Sequence, residues 1–361
     1  MFKSIKMGSA FIGIIVGAGF ASGQEILQYF TSFGYMGTVA AVIATALFAY
    51  LGMSLTRLGS RMRTTSHKEA IFGISGRLIG TIVDYIIILT LFGVGVVMIA
   101  GAGSIFSQQF GLSAALGSTV MVVLITLTIM LNVKKVINII GSITPFLVLA
   151  VVGLAAYSLV TMDGSFTALE SVANEQSSAV QNWWLSAINY VSFNIAVGAS
   201  MAIVMGGTEK DEKIAARGGF FGGLGLGVLI ILSHLAIFSK VDVVGSAEMP
   251  MLQIANDLSP ALGIFMSVIL FGMIYNTGVS MLFSFSARFV PMGTPKFRIF
   301  VIVVGVVAYV LSFVGFTKLV SLFYPIVGYL GLFLVGALIY ADIKRPKRQA
   351  TRAEKIRHQS T

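Results

Sequence analysis

Cysteine is absent from this chain of 361 residues, and charged residues make up only 11% of it. The absence of cysteine excludes disulfide bonds, thiolate metal sites and cysteine nucleophiles. An average soluble domain has about a quarter charged residues, so the shortage of charge indicates that most of the chain lies in lipid. There are only three histidines, and the patterns H-E-x-x-H and G-x-S-x-G are missing, which argues against a hydrolase. We therefore expect a membrane protein that is not an enzyme and needs no cofactor.

Hydrophobic residues, which make up 57% of the chain, are concentrated in ten long runs. Runs of about 20 residues cross a bilayer as helices, because lipid offers no partners for unpaired backbone groups. The runs predict an all-α integral membrane protein with ten transmembrane helices. They occupy Ala10–Phe30, Gly37–Leu58, Leu78–Gly101, Ser113–Leu131, Ile139–Leu159, Trp183–Met205, Ala215–Phe238, Leu262–Phe285, Phe297–Phe316 and Leu319–Tyr340.

Basic residues are distributed unevenly among the segments that connect these runs. With the N-terminus inside, the cytoplasmic segments hold all of the 24 Lys and Arg residues except Lys240 and Lys318. The positive-inside rule then predicts a multi-pass protein of the cytoplasmic membrane with both termini in the cytoplasm. The net charge of +10 and the basic tail 342–361 are interpreted as an anchor at anionic lipid, and no nucleic-acid partner is expected.

Ten helices divide into two halves of five, and an odd number per half turns the second half upside down relative to the first. Pro145 in the fifth run and Pro325 in the tenth occupy matching places, and about the same offset takes the motif GAGFASGQE at 17–25 to SFNIAVGAS at 192–200. We therefore expect a 5+5 inverted repeat in which the first and sixth helices are interrupted, as is typical of transporter binding sites. The expected units are a first repeat at 1–160, an extracellular loop at 161–182, a second repeat at 183–341 and the tail at 342–361.

The motif GAGFASGQE places three glycines, a glutamine and Glu25 in the middle of a hydrophobic run. Each glycine disfavours a helix by about 1 kcal/mol relative to alanine and tolerates unusual backbone angles, so the motif predicts a break. The break leaves carbonyl groups for a cation and N–H groups for a substrate carboxylate. Close helix packing is the alternative role for such glycines, and it is the role that we predict for Gly219, Gly223 and Gly227. Packing alone gives no reason to bury Glu25.

Three ionisable residues lie within or near the predicted hydrocarbon region: Glu25, Asp84 and His234. A charge at this depth costs at least about 2.5 kcal/mol on insertion scales, so such residues are usually neutralised, paired or functional. Glu25 is interpreted as a proton carrier, as a partner for a substrate ammonium group or as a buried acid. Asp84 is interpreted as a coupling residue or as the ion-pair partner of a basic residue such as Arg77. His234 is interpreted as an interfacial or hydrogen-bonded histidine.

The loop SAEMPMLQIANDLSP at 246–260 has apolar residues at helical spacing. It predicts a short extracellular helix. That helix is either a lid over the binding site or an interfacial helix with no gating role.

The sequence IGIIVGAGFASGQEILQYF, followed by a run that ends in GMSLTRLGSR, resembles the opening of the LeuT-type fold of the amino acid–polyamine–cation (APC) transporter superfamily. Within that superfamily it is similar to the YkvI-like family of bacterial membrane proteins. The resemblance implies secondary active transport of a small polar solute, such as an amino acid or an amine, by alternating access and with Na⁺ or H⁺ as the coupling ion. An ion channel or a solute sensor built on the same fold is the alternative.

Two sets of site residues follow. The predicted break assigns substrate binding to Ala18, Gly19, Phe20, Ala21, Glu25, Ser192, Asn194 and Gly198. The resemblance implies a Na⁺ site at Gly13, Val16, Asn276 and Thr277, with Glu25 and Asp84 as further candidates for cation or proton coupling. Asn276 departs from the paired Ser or Thr of the Na⁺-coupled members, and hydrogen bonding between helices is its alternative role. The sequence leaves open whether the substrate is a zwitterion or a small cation, and it makes no prediction of oligomeric state.

Overall fold

A computed structural model describes residues 2–63, 67–131 and 144–359 of the chain. The regular secondary structure of these residues is entirely helical. Seven of the described helical segments are long and apolar enough to cross a membrane, and two shorter apolar helices are Ala114–Met130 and Pro145–Val160. The first hydrophobic run is divided into short pieces, as described below, so the structure does not by itself establish the predicted count of ten.

The helices are numbered in chain order. The first eight are α1 Phe2–Ile15, α2 Ala18–Ser22, α3 Gln24–Tyr29, α4 Gly34–Met62, α5 His67–Phe110, α6 Ala114–Leu131, α7 Thr144–Val160 and α8 Phe166–Asn174. The remaining seven are α9 Trp183–Thr208, α10 Glu212–Phe238, α11 Val241–Val244, α12 Pro250–Leu258, α13 Pro260–Phe289, α14 Pro295–Ser312 and α15 Phe316–Gln359. The predicted start of the fifth run, Ile139, lies outside the described residues.

The long helices pack in two groups. Helices α1, α4, α9 and α10 have their most extensive contacts with one another, and helices α5, α6, α13 and α14 form the second group. Helix α15 contacts both groups, through α9 on one side and α5 on the other. The functional site described below lies between the two groups.

Glycines allow α10 to pack closely against α4. A Cβ atom placed on Gly219 or Gly223 would lie 2.1 or 2.2 Å from a backbone carbonyl oxygen of α4, and one placed on Gly227 would lie 2.3 Å from the Thr45 side chain. A larger residue at these positions would force the two helices apart. Small residues at helix interfaces are the usual basis of close packing in lipid, and the predicted packing role of the three glycines is confirmed.

The first hydrophobic run is interrupted twice. Helix α1 ends at Ile15, Gly17 has an extended backbone with φ −99° and ψ −174°, and Gly23 lies between α2 and α3 with φ +84°. Glycine adopts this left-handed conformation without the steric cost that a Cβ atom would add. The predicted interruption of the first transmembrane helix is therefore confirmed.

The sixth run forms one unbroken helix, α9, so the prediction of a second interruption at 192–200 is wrong. This stretch contains one glycine, whereas the first motif contains three. That glycine, Gly198, faces α1, where an added Cβ atom would lie 2.3 Å from Cδ1 of Ile15. It serves close packing and leaves the helix intact.

The polar residues of α9 also bond in ways that preserve the helix. The Asn194 side chain donates to the carbonyl oxygen of Tyr190 in the preceding turn, at 3.0 Å. Ser192 donates across the interface to the carbonyl oxygen of Gly328 in α15, at 2.7 Å. The polar side chains in the middle of this run therefore donate hydrogen bonds to backbone carbonyl groups within α9 and across its interface with α15. They do not indicate a break.

Candidate functional site

A cavity of about 510 Å³ lies beside the interrupted helix, between the two helix groups. Its wall is formed by the first run together with α5, α9 and α13, and by Tyr324 of α15. It extends from the break toward the end of the bundle at which α5 begins and α9 and α13 end. Most of the wall is aliphatic. The polar side chains lie mainly near the break, along α13, and at an ion pair at the far end.

The first run and α9 contribute to this wall in different ways. From the first run, five consecutive residues, 13–17, line the cavity together with Gly19 and Glu25. A regular helix has 3.6 residues per turn and cannot present five consecutive residues to one side. The lining residues of α9 recur every three or four positions, so they belong to one face of a regular helix. They are Phe193, Asn194, Val197, Ser200, Met201 and Val204.

Glu25 lies in the first turn of α3 and is only 4% exposed. Its Oε2 atom accepts a hydrogen bond from the hydroxyl group of Tyr190 at 3.1 Å. A Cβ atom placed on Gly19 would lie 1.9 Å from Oε1 of Glu25, so the carboxylate lies directly over Gly19 and would have to move if this residue had a side chain. Gly19 and Tyr190 therefore hold Glu25 at the cavity wall. Tyr190 is absent from the predicted site, and its one sequence signal is that it precedes Asn194 by one helical turn.

The four residues predicted to bind Na⁺ all line the same cavity: Gly13, Val16, Asn276 and Thr277. The backbone N–H group of Val16 donates to the carbonyl oxygen of Ile12 at 2.7 Å, and no such bond continues to Gly13, Ile14 or Ile15 in the described residues, because the helix ends there. The Oδ1 atom of Asn276 is buried and has no hydrogen-bond partner among the described residues. The residues at the end of α1 and Asn276 of α13, with its unpartnered Oδ1 atom, therefore line one cavity.

Helix α13 carries a row of polar residues along the cavity wall, formed by Asn276, Ser280, Ser284 and Arg288. These residues are four positions apart and share one helix face. The last three are absent from the predicted site, although their spacing is visible in the sequence. A search for polar residues four apart within a hydrophobic run would have identified them.

Asp84 also lines the cavity, where it forms an ion pair with Arg288 at the end of the polar row. The interpretation of Asp84 as an ion-paired residue is therefore confirmed, but Arg77 is not the partner. Arg77 lies two turns earlier on α5 and is exposed. Because α5 packs against α13, the basic residue that lies beside Asp84 is Arg288. This packing cannot be read from the sequence.

Several residues predicted to bind substrate do not line the cavity. Phe20, Ala21 and Ser192 are buried elsewhere in the core, and Gly198 packs against α1. The side chain of Ala18 lies outside the described part of the structure. Of the predicted set, the cavity wall contains Gly19, Glu25 and Asn194.

The predicted short helix of the 246–260 loop is present as α12 and covers the break. A Cβ atom placed on Gly23 would lie 2.8 Å from Cγ of Met251, in the first turn of α12. The side chain of Gln108, near the end of α5, holds the start of this helix. It donates to the carbonyl oxygen of Met249 at 3.1 Å and accepts from the Met249 N–H group at 2.9 Å. The position of α12 supports the interpretation as a lid.

His234 is fully buried in α10 and does not line the cavity. Its two ring nitrogens lie 3.1 and 2.9 Å from the hydroxyl groups of Thr31 and Thr38. It is therefore a histidine with both ring nitrogens hydrogen-bonded, as one of the two interpretations of the sequence predicts.

Two bacterial relatives match almost the whole chain. The uncharacterized membrane protein YkvI of Bacillus subtilis (strain 168) is 26% identical over 352 residues, which cover 96% of this chain and 97% of YkvI. The uncharacterized protein YyaD of the same organism is 26% identical over 333 residues, which cover 92% of this chain and 95% of YyaD. No model of a protein family matches the chain.

Three solved structures of transporters are similar to this chain. A mutant of the Eremococcus coleocola manganese transporter has a TM-score of 0.60 at 15% identity, over 95% of this chain and 77% of its own. MhsT in complex with L-phenylalanine has a TM-score of 0.60 at 16% identity, over 95% of this chain and 92% of its own. Mhp1 in an inward-facing conformation has a TM-score of 0.55 at 16% identity, over 85% of this chain and 69% of its own. The chain is therefore a multi-pass membrane protein with the LeuT-type transporter fold, and it is similar over nearly its full length to YkvI.

Proposed function

We propose that the protein is a secondary active transporter that moves a small polar solute, an amino acid or an amine, across the cytoplasmic membrane by alternating access. The observation that carries this proposal is the interrupted first helix, which brings Glu25 and unpaired carbonyl groups to one cavity. Interrupted helices at mid-depth in the membrane are the usual binding elements of secondary transporters. A structural neighbour with L-phenylalanine bound supports a small organic solute.

In the proposed topology the ten predicted transmembrane helices form two inverted repeats of five. The first repeat, within 1–160, consists of the interrupted helix α1–α3 followed by α4, α5, α6 and α7. The second repeat, within 183–341, consists of α9, α10, α13, α14 and α15. The loop 161–182 lies outside the cell, and both termini, with the tail 342–361, lie in the cytoplasm. The concentration of basic residues in the cytoplasmic segments supports this orientation.

With this orientation, the cavity extends toward the cytoplasm and α12 closes the extracellular side. Alternating access then requires the two helix groups to move relative to each other. Helices α1, α4, α9 and α10 rock against α5, α6, α13 and α14, and the cavity between them opens to one side at a time. The extensive contacts within each group support movement of each group as a unit.

The proposed coupling ion is Na⁺ or H⁺. Na⁺ would be held by the carbonyl groups of Gly13 and Val16 and by the side chains of Asn276 and Thr277, and the unpartnered Oδ1 atom of Asn276 supports this assignment. H⁺ would be carried by Glu25 or Asp84. Because Asp84 is already paired with Arg288, Glu25 is the better candidate for a proton carrier.

Solute counterflow in proteoliposomes tests the proposed function. Purified protein is first screened by thermal unfolding against amino acids, amines and osmolytes with and without Na⁺, because a ligand that binds the native state raises its apparent stability. Labelled forms of the hits are then used for counterflow. Saturable uptake that is accelerated by unlabelled solute inside supports a carrier. Non-saturating ion flux without solute indicates a channel, and binding without counterflow indicates a sensor. Either result would overturn the proposal.

A further inference from the structure

We propose that the solute recognised in this cavity is a monocationic amine with an apolar body, and that its ammonium group binds the carboxylate of Glu25. This inference rests on the proposed function and narrows its substrate class. It is carried by three features of the described cavity wall: the charges on it, the position of Glu25 relative to the break, and the apolar surface beyond it.

The charges on the cavity wall do not balance. The described lining residues include three charged side chains, Glu25, Asp84 and Arg288. Arg288 is paired with Asp84, whereas Glu25 forms no ion pair among the described residues and has the neutral hydroxyl group of Tyr190 as its partner. A buried carboxylate without a counter-charge is costly, and a bound cation removes that cost. The cavity therefore favours a ligand that brings one positive charge.

The position of Glu25 argues against a zwitterionic α-amino acid. From the sequence, the backbone N–H groups at the break, around 18–21, are expected to bind a substrate carboxylate. In the structure the carboxylate of Glu25 lies directly over Gly19 in this stretch. A second carboxylate at this place would meet a like charge at short range. Arg288 is not placed to compensate, because it is paired with Asp84 and lies at the far end of α13.

The wall beyond Glu25 is suited to a hydrocarbon body. It contains Leu91, Val94, Met98 and Met273. Phe193 stacks on Tyr324 with ring centroids 4.0 Å apart, and both rings line the cavity. Apolar walls with a few oriented polar groups are the usual design of small-molecule sites, and methionine side chains adapt to ligands of different shape. A positive group and an apolar body together match this surface.

Binding of two matched sets of probes to the full-length purified protein tests this inference. One set is 2-phenylethylamine, L-phenylalanine and 3-phenylpropionate, and the other is 3-methylbutylamine, L-leucine and 4-methylpentanoate. Within each set the apolar body is the same and the charge is positive, zwitterionic or negative. We expect both amines to raise the thermal unfolding temperature and to bind at least tenfold more tightly than their partners. Equal or tighter binding of the zwitterions, or binding of none of the six, would overturn the inference.

Variants of the chain locate the binding group. Glu25→Gln removes the charge, and Gly19→Ala displaces the carboxylate, because the new Cβ atom would lie 1.9 Å from its Oε1 atom. We expect each to weaken amine binding at least tenfold. The matched control is Gly153→Ala in α7, where an added Cβ atom would meet nothing within 4 Å and amine binding should be unchanged.

A further variant keeps the test decisive if Gly19→Ala does not fold. Tyr190→Phe keeps the ring and removes the hydroxyl group that bonds to Glu25, and we expect it to shift amine affinity without a loss of folded protein. Wild-type amine binding by Glu25→Gln would overturn the inference. Amine binding without counterflow would support the amine as ligand and contradict the proposed transporter function. Counterflow of the zwitterions alone would support the transporter function and contradict the amine as substrate.

Discussion

The first and sixth hydrophobic runs look alike in the sequence, because both place small and polar residues in the middle of an apolar stretch, but they fold differently. The first is divided into α1, α2 and α3, whereas the sixth is the single helix α9. The first contains three glycines in seven positions, and two of them, Gly17 and Gly23, lie at the two interruptions. Polar residues alone do not break a helix when each finds a carbonyl partner, as Ser192 and Asn194 do.

Because of this difference, the two helices contribute different groups to the cavity. The interrupted helix lines the cavity with consecutive residues and carries Glu25, which has no ion-pair partner among the described residues. Helix α9 lines the cavity with one regular face and supplies Tyr190, which donates a hydrogen bond to Glu25. In the proposed mechanism, recognition of charge is therefore concentrated on the interrupted helix. Substitutions in these helices and in the lid test that asymmetry.

Replacement of Glu25 should have the largest effect on function. Glu25→Gln keeps the shape of the side chain and the hydrogen bond from Tyr190, but it removes the charge that we assign to substrate or proton binding. We expect the initial rate of uptake into proteoliposomes to fall at least a hundredfold. Glu175→Gln, at an exposed position before α9, is the control and should transport normally. Normal uptake by Glu25→Gln would remove its assigned role.

Alanine at Gly23 and at Gly198 should affect stability unequally. Gly23 has φ +84°, and a residue with a Cβ atom pays about 1–2 kcal/mol in this left-handed conformation. The new methyl group would also lie 3.1 Å from the Met251 backbone nitrogen. At Gly198 the nearest obstacle is the end of the flexible Ile15 side chain. Thermal unfolding in detergent should show the larger loss for Gly23→Ala, and equal losses would argue against a break at Gly23.

Removal of Asn276 tests whether the broken helix binds its ion together with α13. Asn276→Ala eliminates the unpartnered Oδ1 atom without removing a hydrogen bond made by that atom. If Na⁺ is the coupling ion, we expect the Na⁺ concentration for half-maximal uptake to rise about tenfold, which corresponds to about 1.4 kcal/mol. Uptake at varied Na⁺ and pH measures this. Uptake that does not depend on Na⁺ in either the parent protein or Asn276→Ala would favour coupling to H⁺.

Loosening of the lid should have the smallest effect. Gln108→Ala removes two hydrogen bonds to Met249, each with a net contribution of about 0.5–1.5 kcal/mol. We expect the extracellular side to open more often. Cysteine in place of buried Ser22 should then react several times faster with a thiol reagent added outside. Gln109→Ala, which removes a single 3.3 Å contact to Asn256, should have less effect. Equal labelling of both variants and the parent would contradict a lid held by Gln108.

The features that depend on composition and local geometry were predictable from the sequence. Hydrophobic runs identified the helical membrane fold, and the glycines of 17–23 identified the break, because each effect acts within one short segment. The site was only partly predictable. Long-range packing decides much of the wall, and the predicted site residues that line the cavity are Gly13, Val16, Gly19, Glu25, Asp84, Asn194, Asn276 and Thr277.

Long-range packing explains the failures at Asp84 and Ser192. Asp84 pairs with Arg288, more than 200 positions away in the chain, because α5 packs against α13. Ser192 bonds to α15, which removes it from the cavity. Neither pairing between helices is marked by any local pattern. The row on α13 is the exception, since its spacing of four residues was available in the sequence.

Single-cysteine accessibility across the two runs tests the difference between them most directly, and the chain has no cysteine of its own to interfere. Each residue of 13–19 and of 193–204 is replaced in turn, and the purified protein is treated with a water-soluble thiol reagent. We predict that consecutive positions 13–17 react, whereas in α9 the reactive positions repeat every three or four residues. The same helical period in both segments would show that the first run is continuous and would contradict a binding site built on its break.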